Sequence, residues 1–258
     1  MLNKWLSGFN VSLLCVGLAG ALAGCGGSSG NGLSDPVISY GAPTPIGNGS
    51  GRTFIQKQGN TVLSVGIEMT DTALQGLPVI PFNEDHIFTF APPPGIDATA
   101  IQGITMDYTD GHVPVGAGDV PHFHPTFFLI SDAQKQLITA DSPIADAPVA
   151  AAEVPTNHIA LHMVVPTEGA VYFDPILPGY RESPFTTTNY NYNFFNGHMV
   201  LIQTGVAVAF LNSKQEQVAN LELPQAYPHP GLYPSAYRFK YDLAKHVYLF
   251  TVEGFVSR

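Results

Sequence analysis

Short apolar runs, many alternating with polar positions, recur along most of the chain and predict strands rather than helices. Two of them flank Gln58-Gly59-Asn60, which predicts a hairpin. Further strands are predicted over 86–91, 100–107, 158–165, 170–174, 236–241 and 247–255. The most hydrophobic run, 200–211, follows the turn signal Asn196-Gly197 and is expected as the central buried strand. Helix signals are few. Thr70 or Asp71 caps a short helix over 72–75, stopped by Gly76 and Pro78, and 214–222 has room for a turn or two. The Ala/Pro-rich stretch 132–156 is expected as part helix or long connection, and 179–193 as an aromatic and Thr-rich loop. The predicted fold class is mainly β: a single β-rich domain over 51–258, sandwich or barrel-like, with one or two short helices.

Composition agrees with that reading. Charged residues are 12% of the 258 positions, while Gly (26) and Pro (22) are abundant, a balance that suits strands and turns. The 45% hydrophobic content is enough for a substantial core.

The first fifty residues read differently. Lys4 precedes an apolar run over 11–23 that is too short for a permanent membrane span. The run ends in Leu22-Ala23-Gly24-Cys25, which resembles the lipobox of bacterial lipoproteins. That resemblance implies a signal peptide over 1–24, cleavage ahead of Cys25, and a lipid membrane anchor on the Cys25 thiol. Gly26 rather than Asp follows, which implies outer-membrane attachment where the source has two membranes, with the domain in the cell envelope on the extracytoplasmic side. Residues 25–50 are expected as the lipidated Cys and a Gly/Ser/Pro tether, its flexible part spanning roughly 25–30 Å.

Cysteine use then constrains the chemistry. Cys15 leaves with the signal and Cys25 carries lipid, so no thiol is left for a disulfide, a Cys-type zinc site or a nucleophile. A metal would have to be held by His and oxygen. Loss of Lys4 makes the mature chain one unit more negative than the full chain's −10, which disfavours nucleic acid and anionic membrane surfaces as partners.

Candidate metal chemistry centres on Gly111-His112-Val113-Pro114, a Gly-rich bend, and Pro121-His122-Phe123-His124-Pro125-Thr126. Side chains two apart on a strand share a face, which places His122, His124 and Thr126 together. Pro125 is expected to bend the register. His112 lies close enough to fold back beside this strand, and converging imidazoles suit a divalent ion. The plain structural alternative is two histidines in a Pro-bounded edge strand, bonded to backbone or water.

In order, the motifs are Gly47-Asn48-Gly49-Ser50-Gly51-Arg52, Ser64-Val65-Gly66-Ile67-Glu68-Met69, Gly111-His112-Val113-Pro114, Pro121-His122-Phe123, Phe195-Asn196-Gly197, Ala209-Phe210-Leu211 and Pro230-Gly231-Leu232-Tyr233-Pro234. This order resembles a bacterial exported family of unknown function, the TTHB-type hypothetical proteins, across 47–255. The resemblance implies a metal cluster in which His112 and His122 match the family pattern and His124 replaces an Asp. The family's second strand His falls at Thr126, a downstream His at Val171 and a Glu at Gln203. The resemblance therefore implies a divergent member whose site is either rearranged or lost. His158 and His162, four apart, offer a replacement, with His162 preferred as the extra ligand. The expected metal set is His112, His122, His124 and His162, with zinc the foremost ion. An open position on it would support hydrolysis, hydration or lyase chemistry.

Other patterns say less. The His-x-His is similar to that of cupins and of α-type carbonic anhydrases, but the cupin Glu and the other anhydrase signatures are missing. His86 is expected to be structural, and His198, His229 and His246 surface or turn residues. No Gly-x-Ser-x-Gly elbow and no phosphate-cradling Gly loop with Lys is present. The alternative to a metal protein is a non-catalytic envelope module that binds a partner or small ligand through the aromatic surface of Tyr190, Tyr192, Phe194 and Phe195. A third expectation is a homo-oligomer with a structural role.

Overall fold

The computed structural model describes residues 34–112 and 119–258. The expected signal segment 1–24, Cys25, the first part of the tether and the bend at 113–118 lie outside the described residues. The first eight strands are β1 (Val37–Tyr40), β2 (Thr44–Ile46), β3 (Gly49–Gln58), β4 (Thr61–Thr70), β5 (His86–Thr89), β6 (Gly103–Thr109), β7 (His122–Phe128) and β8 (Ile159–Val165). They are followed by β9 (Gly169–Phe173), β10 (Thr188–Phe195), β11 (His198–Ala207), β12 (Gln217–Asn220), β13 (Leu232–Tyr233), β14 (Ala236–Asp242), β15 (Val247–Glu253) and β16 (Val256–Ser257). Three short α-helices, α1 (Asp132–Lys135), α2 (Pro178–Arg181) and α3 (Val208–Ser213), and a 3₁₀ turn at Asp71–Leu74 sit between strands. The domain is mainly β, as the patterning predicts.

One seven-stranded sheet runs β1-β3-β4-β15-β14-β12, with β2 on β3; the other runs β5-β6-β7-β11-β10-β9-β8. Both are antiparallel. Ile55, Val65, Ile67, Phe239 and Phe250 of the first sheet join Ile104, Phe123, Phe127, Tyr192 and Ile202 of the second in one buried cluster. β11 is central in its sheet, between β7 and β10. The hairpins at Gly59 and at Asn196-Gly197 form as expected; Gly59, Asn196 and Gly197 all have positive φ (58°, 51° and 77°), which tight turns require.

Five local expectations are corrected. Ordered structure begins inside the expected tether, before residue 51: β1 pairs with β3 from Val37↔Lys57 to Tyr40↔Phe54. Polar composition hid these edge strands, whose stability comes from main-chain pairing and from Tyr40, over which the Arg52 guanidinium stacks at 3.6 Å. No register break occurs at Pro125, because the β6–β7 ladder runs unbroken from Gly103↔Phe128 to Thr109↔His122. Phe123, Phe127 and Leu129 share one parity and all enter the core. The expected loop 179–193 holds α2 and most of β10, whose alternation puts Tyr190, Tyr192 and Phe194 inward; at 0–2% exposure they form no binding surface. The run 200–211 ends as strand at Ala207 and continues as α3, and 217–220 is strand β12 where helix was expected.

Truncating Phe127, 1% exposed, should leave a cavity where the sheets meet. Phe127→Ala is expected to lower unfolding free energy by about 3–5 kcal/mol, read from urea denaturation. Val79→Ala, at a position 92% exposed, should stay within about 0.5 kcal/mol of the parent.

Candidate metal centre

The alternation that sends Ile104, Met106 and Tyr108 of β6 into the core turns Thr105, Asp107 and Thr109 to the opposite face. Register then sets Asp107 across from His124, and Thr109 across from His122. On the far side of β7, Gln203 of β11 faces Thr126, and Asn191 of β10 faces Gln203. Of these, Asp107, His122, His124, Gln203 and Asn191 line a cavity of about 420 Å³, closed on another side by Leu161, Val164 and Val165 of β8 and by Val171 and Tyr180.

His112, His122 and His124 come together in its wall. Each offers a ring nitrogen, and the three lie within 4.8 Å of one another. The Nε2 atoms of His112 and His122 are 3.1 Å apart. Two nitrogens on a tetrahedral zinc ion, each about 2.0–2.1 Å from it, would stand roughly 3.3 Å apart. The rings are crowded, with centroids 4.5 Å apart for His122 and His124 and 5.4 Å for His112 and His124. His122 Nδ1 donates to the Val120 carbonyl at 2.5 Å, which fixes the proton there and leaves the Nε2 lone pair facing the cluster.

Backbone constraints deliver His112. Gly111 has φ 145°, and a Cβ there would meet the Asp119 carbonyl carbon at 3.0 Å, so the close pass between the two ends of the connection depends on glycine. Gly111 is pinned further by Thr109 Oγ1, which accepts from its N–H at 3.1 Å, and by the Asn83 N–H donating to its carbonyl at 2.9 Å.

Burial favours the neutral form of His122 and His124. Burial pushes His122 down to about 4, with the neighbouring His112 charge adding to the effect and the Val120 carbonyl opposing it. Burial, then the charges of His122 and His112, hold His124 well below the ordinary imidazole value. On the acidic side of the cavity, burial first, then Glu168, raises Asp107 well above the carboxylate range. Burial likewise raises Glu168, and raises Asp85, where His112 partly offsets it.

His162 does not join the group. A β-bulge shifts the β8–β9 register between Ala160 and Val164, and His162 takes φ 56° within it. Its ring points to solvent and meets Asp146 Oδ2 at 3.1 Å, with 79% of the side chain exposed. The same bulge breaks the shared face expected for His158 and His162. His158 is buried instead against the rings of Tyr190 and Tyr192, at 5.6 and 5.1 Å. Of the remaining histidines, His86 packs on Phe88 at an exposed strand position, while His198 and His246 pair on the surface with Glu153 and Asp71.

Thr126, Val171 and Gln203, the positions where the resemblance implied a ligand, sit at the cavity but carry no imidazole or carboxylate: Val171 and Gln203 line it, and Gln203 Nε2 donates to Thr126 Oγ1 at 3.0 Å. Sequence reasoning missed Asp107, Glu168, Asn189 and Asn191. The signal was present in Asn189-Tyr190-Asn191-Tyr192-Asn193, a period of two with amides on one face and aromatics on the other. Comparison with family models, curated proteins and solved structures finds no match.

Gly111→Ala is expected to displace His112 and weaken metal binding about 10–100-fold, measured by competition against a chromogenic chelator. His158 supplies a pH test away from the cluster. Its Nδ1 donates to the Thr156 carbonyl at 3.0 Å, and its buried Nε2 has no partner. Burial therefore lowers its pKa, against the Thr156 carbonyl and the Asp174 and Glu222 charges. The unfolded chain takes up the proton more readily, so the neutral ring's stabilisation is full above an unfolded pKa of about 6.5 and is lost as pH falls below it. The melting temperature of His158→Phe should accordingly fall less than the parent's between about pH 7 and about pH 5.

Proposed function

We propose that this chain is an exported, lipid-anchored protein of the cell envelope whose cavity binds a divalent metal, zinc above others, through His112, His122 and His124. The observation that carries the reading is the 3.1 Å approach of the His112 and His122 Nε2 atoms, with His124 completing the triangle. Nitrogens this close repel through their lone pairs unless a proton or a metal lies between them. The tautomer fixed by Val120 directs one lone pair toward that point. Burial holds His122 and His124 neutral at neutral pH, as metal ligands must be.

Three protein ligands are the number found in catalytic zinc sites, whereas structural sites close all four positions. An ion held this way polarises a carbonyl oxygen and acidifies water, so the reaction class supported is hydrolysis, hydration or lyase chemistry. The residues around it favour a small neutral substrate, since among the described residues no Lys or Arg lines the cavity to hold an anion. Leu161, Val164, Val165 and Tyr180 supply an apolar wall for its body. The lipid anchor is supported by the Leu22-Ala23-Gly24-Cys25 signature.

Elemental analysis of the purified full chain should find stoichiometric transition metal, which His122→Ala with His124→Ala removes while the far-ultraviolet circular dichroism stays unchanged. Metal content no higher in the parent than in the double variant would overturn the assignment.

A further inference from the structure

Asp107 and Glu168 occupy the same cavity as the histidines, and among the described residues no Lys or Arg lines it. They are 4% and 7% exposed, both line the cavity, and they lie within hydrogen-bonding reach of each other. No donor reaches Asp107 Oδ1, a fully buried oxygen. Lys135, the cation whose field reaches the pair, is held elsewhere, its Nζ 3.7 Å over the Phe128 ring and 3.8 Å from Asp132. Two buried carboxyl groups in contact repel unless a proton or a cation lies between them.

One contact favours the ionised form that a cation requires. Glu168 Oε2 accepts from Gln203 Nε2 at 3.1 Å, and Gln203 is itself held by Thr126 Oγ1. An N–H donated to a carboxylate stabilises its ionised form. Glu168 is also fixed in place by the tight turn between β8 and β9, where its N–H donates to the Val165 carbonyl at 3.0 Å and Gly169 follows with φ 96°. Asp107 stands directly across the ladder from His124, so the carboxylates adjoin the imidazoles on one sheet face.

We propose that Asp107 and Glu168 form a second divalent-cation site beside the three histidines. Its carboxylate oxygen donors suit a harder ion such as Mn²⁺ or Mg²⁺. The carboxylate site stands on its own residues; that the cavity holds two ions rests on the histidine reading above.

Mn²⁺ alone, titrated into the metal-stripped full chain and followed by electron paramagnetic resonance, tests this. Two ions per chain are expected, with the spectrum broadened by their proximity, falling to one ion and an unbroadened spectrum in Asp107→Asn and in Glu168→Gln. One ion per chain in the parent, unchanged by either carboxylate substitution, would show that the pair holds a proton and overturn the proposal. Two ions in both variants would overturn the assignment to these residues. The double variant His122→Ala, His124→Ala separates the two readings. It should keep one ion if the carboxylates bind by themselves, whereas two ions in that variant would sink the histidine site and leave the count to other groups.

Discussion

The cavity depends on the period of two along β6, β7, β11 and β10. Every second side chain on these strands must enter the core between the sheets, and the residues between them have no choice but the other face. Phe123 and Phe127 are buried in the core, so His122, His124 and Thr126 are not. Tyr190 and Tyr192 are fixed in the same way, which commits Asn189 and Asn191 to the cavity. A one-residue slip of β7 would put two imidazoles into an apolar core and two phenyl rings into a polar cavity. The hydrophobic side of the sheet therefore holds the register that the polar side uses.

A polar face turned inward must satisfy its own hydrogen bonds, since burying an unpaired amide or hydroxyl costs about 1–3 kcal/mol. Most of this face does. Asn191 Nδ2 donates to Asn193 Oδ1 at 2.7 Å, Tyr180 Oη donates to the Tyr190 carbonyl at 3.1 Å, and Gln203 links Thr126 to Glu168. Thr204, on the core side, uses its hydroxyl to reach the Pro125 carbonyl at 3.2 Å, where proline deprives the ladder of a donor. The oxygen left over on this face, Asp107 Oδ1, lies next to the histidines. Among the described residues the network of this face is left open at that carboxylate and at Asn193 Nδ2.

What the sequence disclosed, and what it withheld, divides along the same line. His122-x-His124 was legible because a period of two is local, and Gly111 beside His112 was legible because a tight return needs glycine. The β-rich class followed from short apolar runs separated by Gly and Pro. Asp107 and Glu168 were not legible, since their neighbours are contributed by strands far away in sequence and paired only in the folded sheet. His162 misled because spacing cannot show a bulge: four residues apart predicts a shared face only where the ladder is regular, and the register shifts between Ala160 and Val164. The edge strands β1 and β2 were hidden by a tether-like composition, since an edge needs backbone partners more than apolar side chains.

Charge decides what such a cavity can accept. Among the described residues its lining supplies carboxyl groups and imidazoles but no ammonium or guanidinium group, so nothing fixed there attracts an anion. Raising the imidazoles' charge is no remedy, because burial pushes protons off His122 and His124. Under the proposed reading, neutral nitrogen donors and oxygen donors in one apolar-walled space would both be served by a bound cation. A single proton between the carboxylates would satisfy the oxygens and leave the 3.1 Å contact between the two Nε2 atoms to a hydrogen bond of its own. On the proposed reading, one kind of ligand would serve both the imidazoles and the acids of the inward-turned polar face.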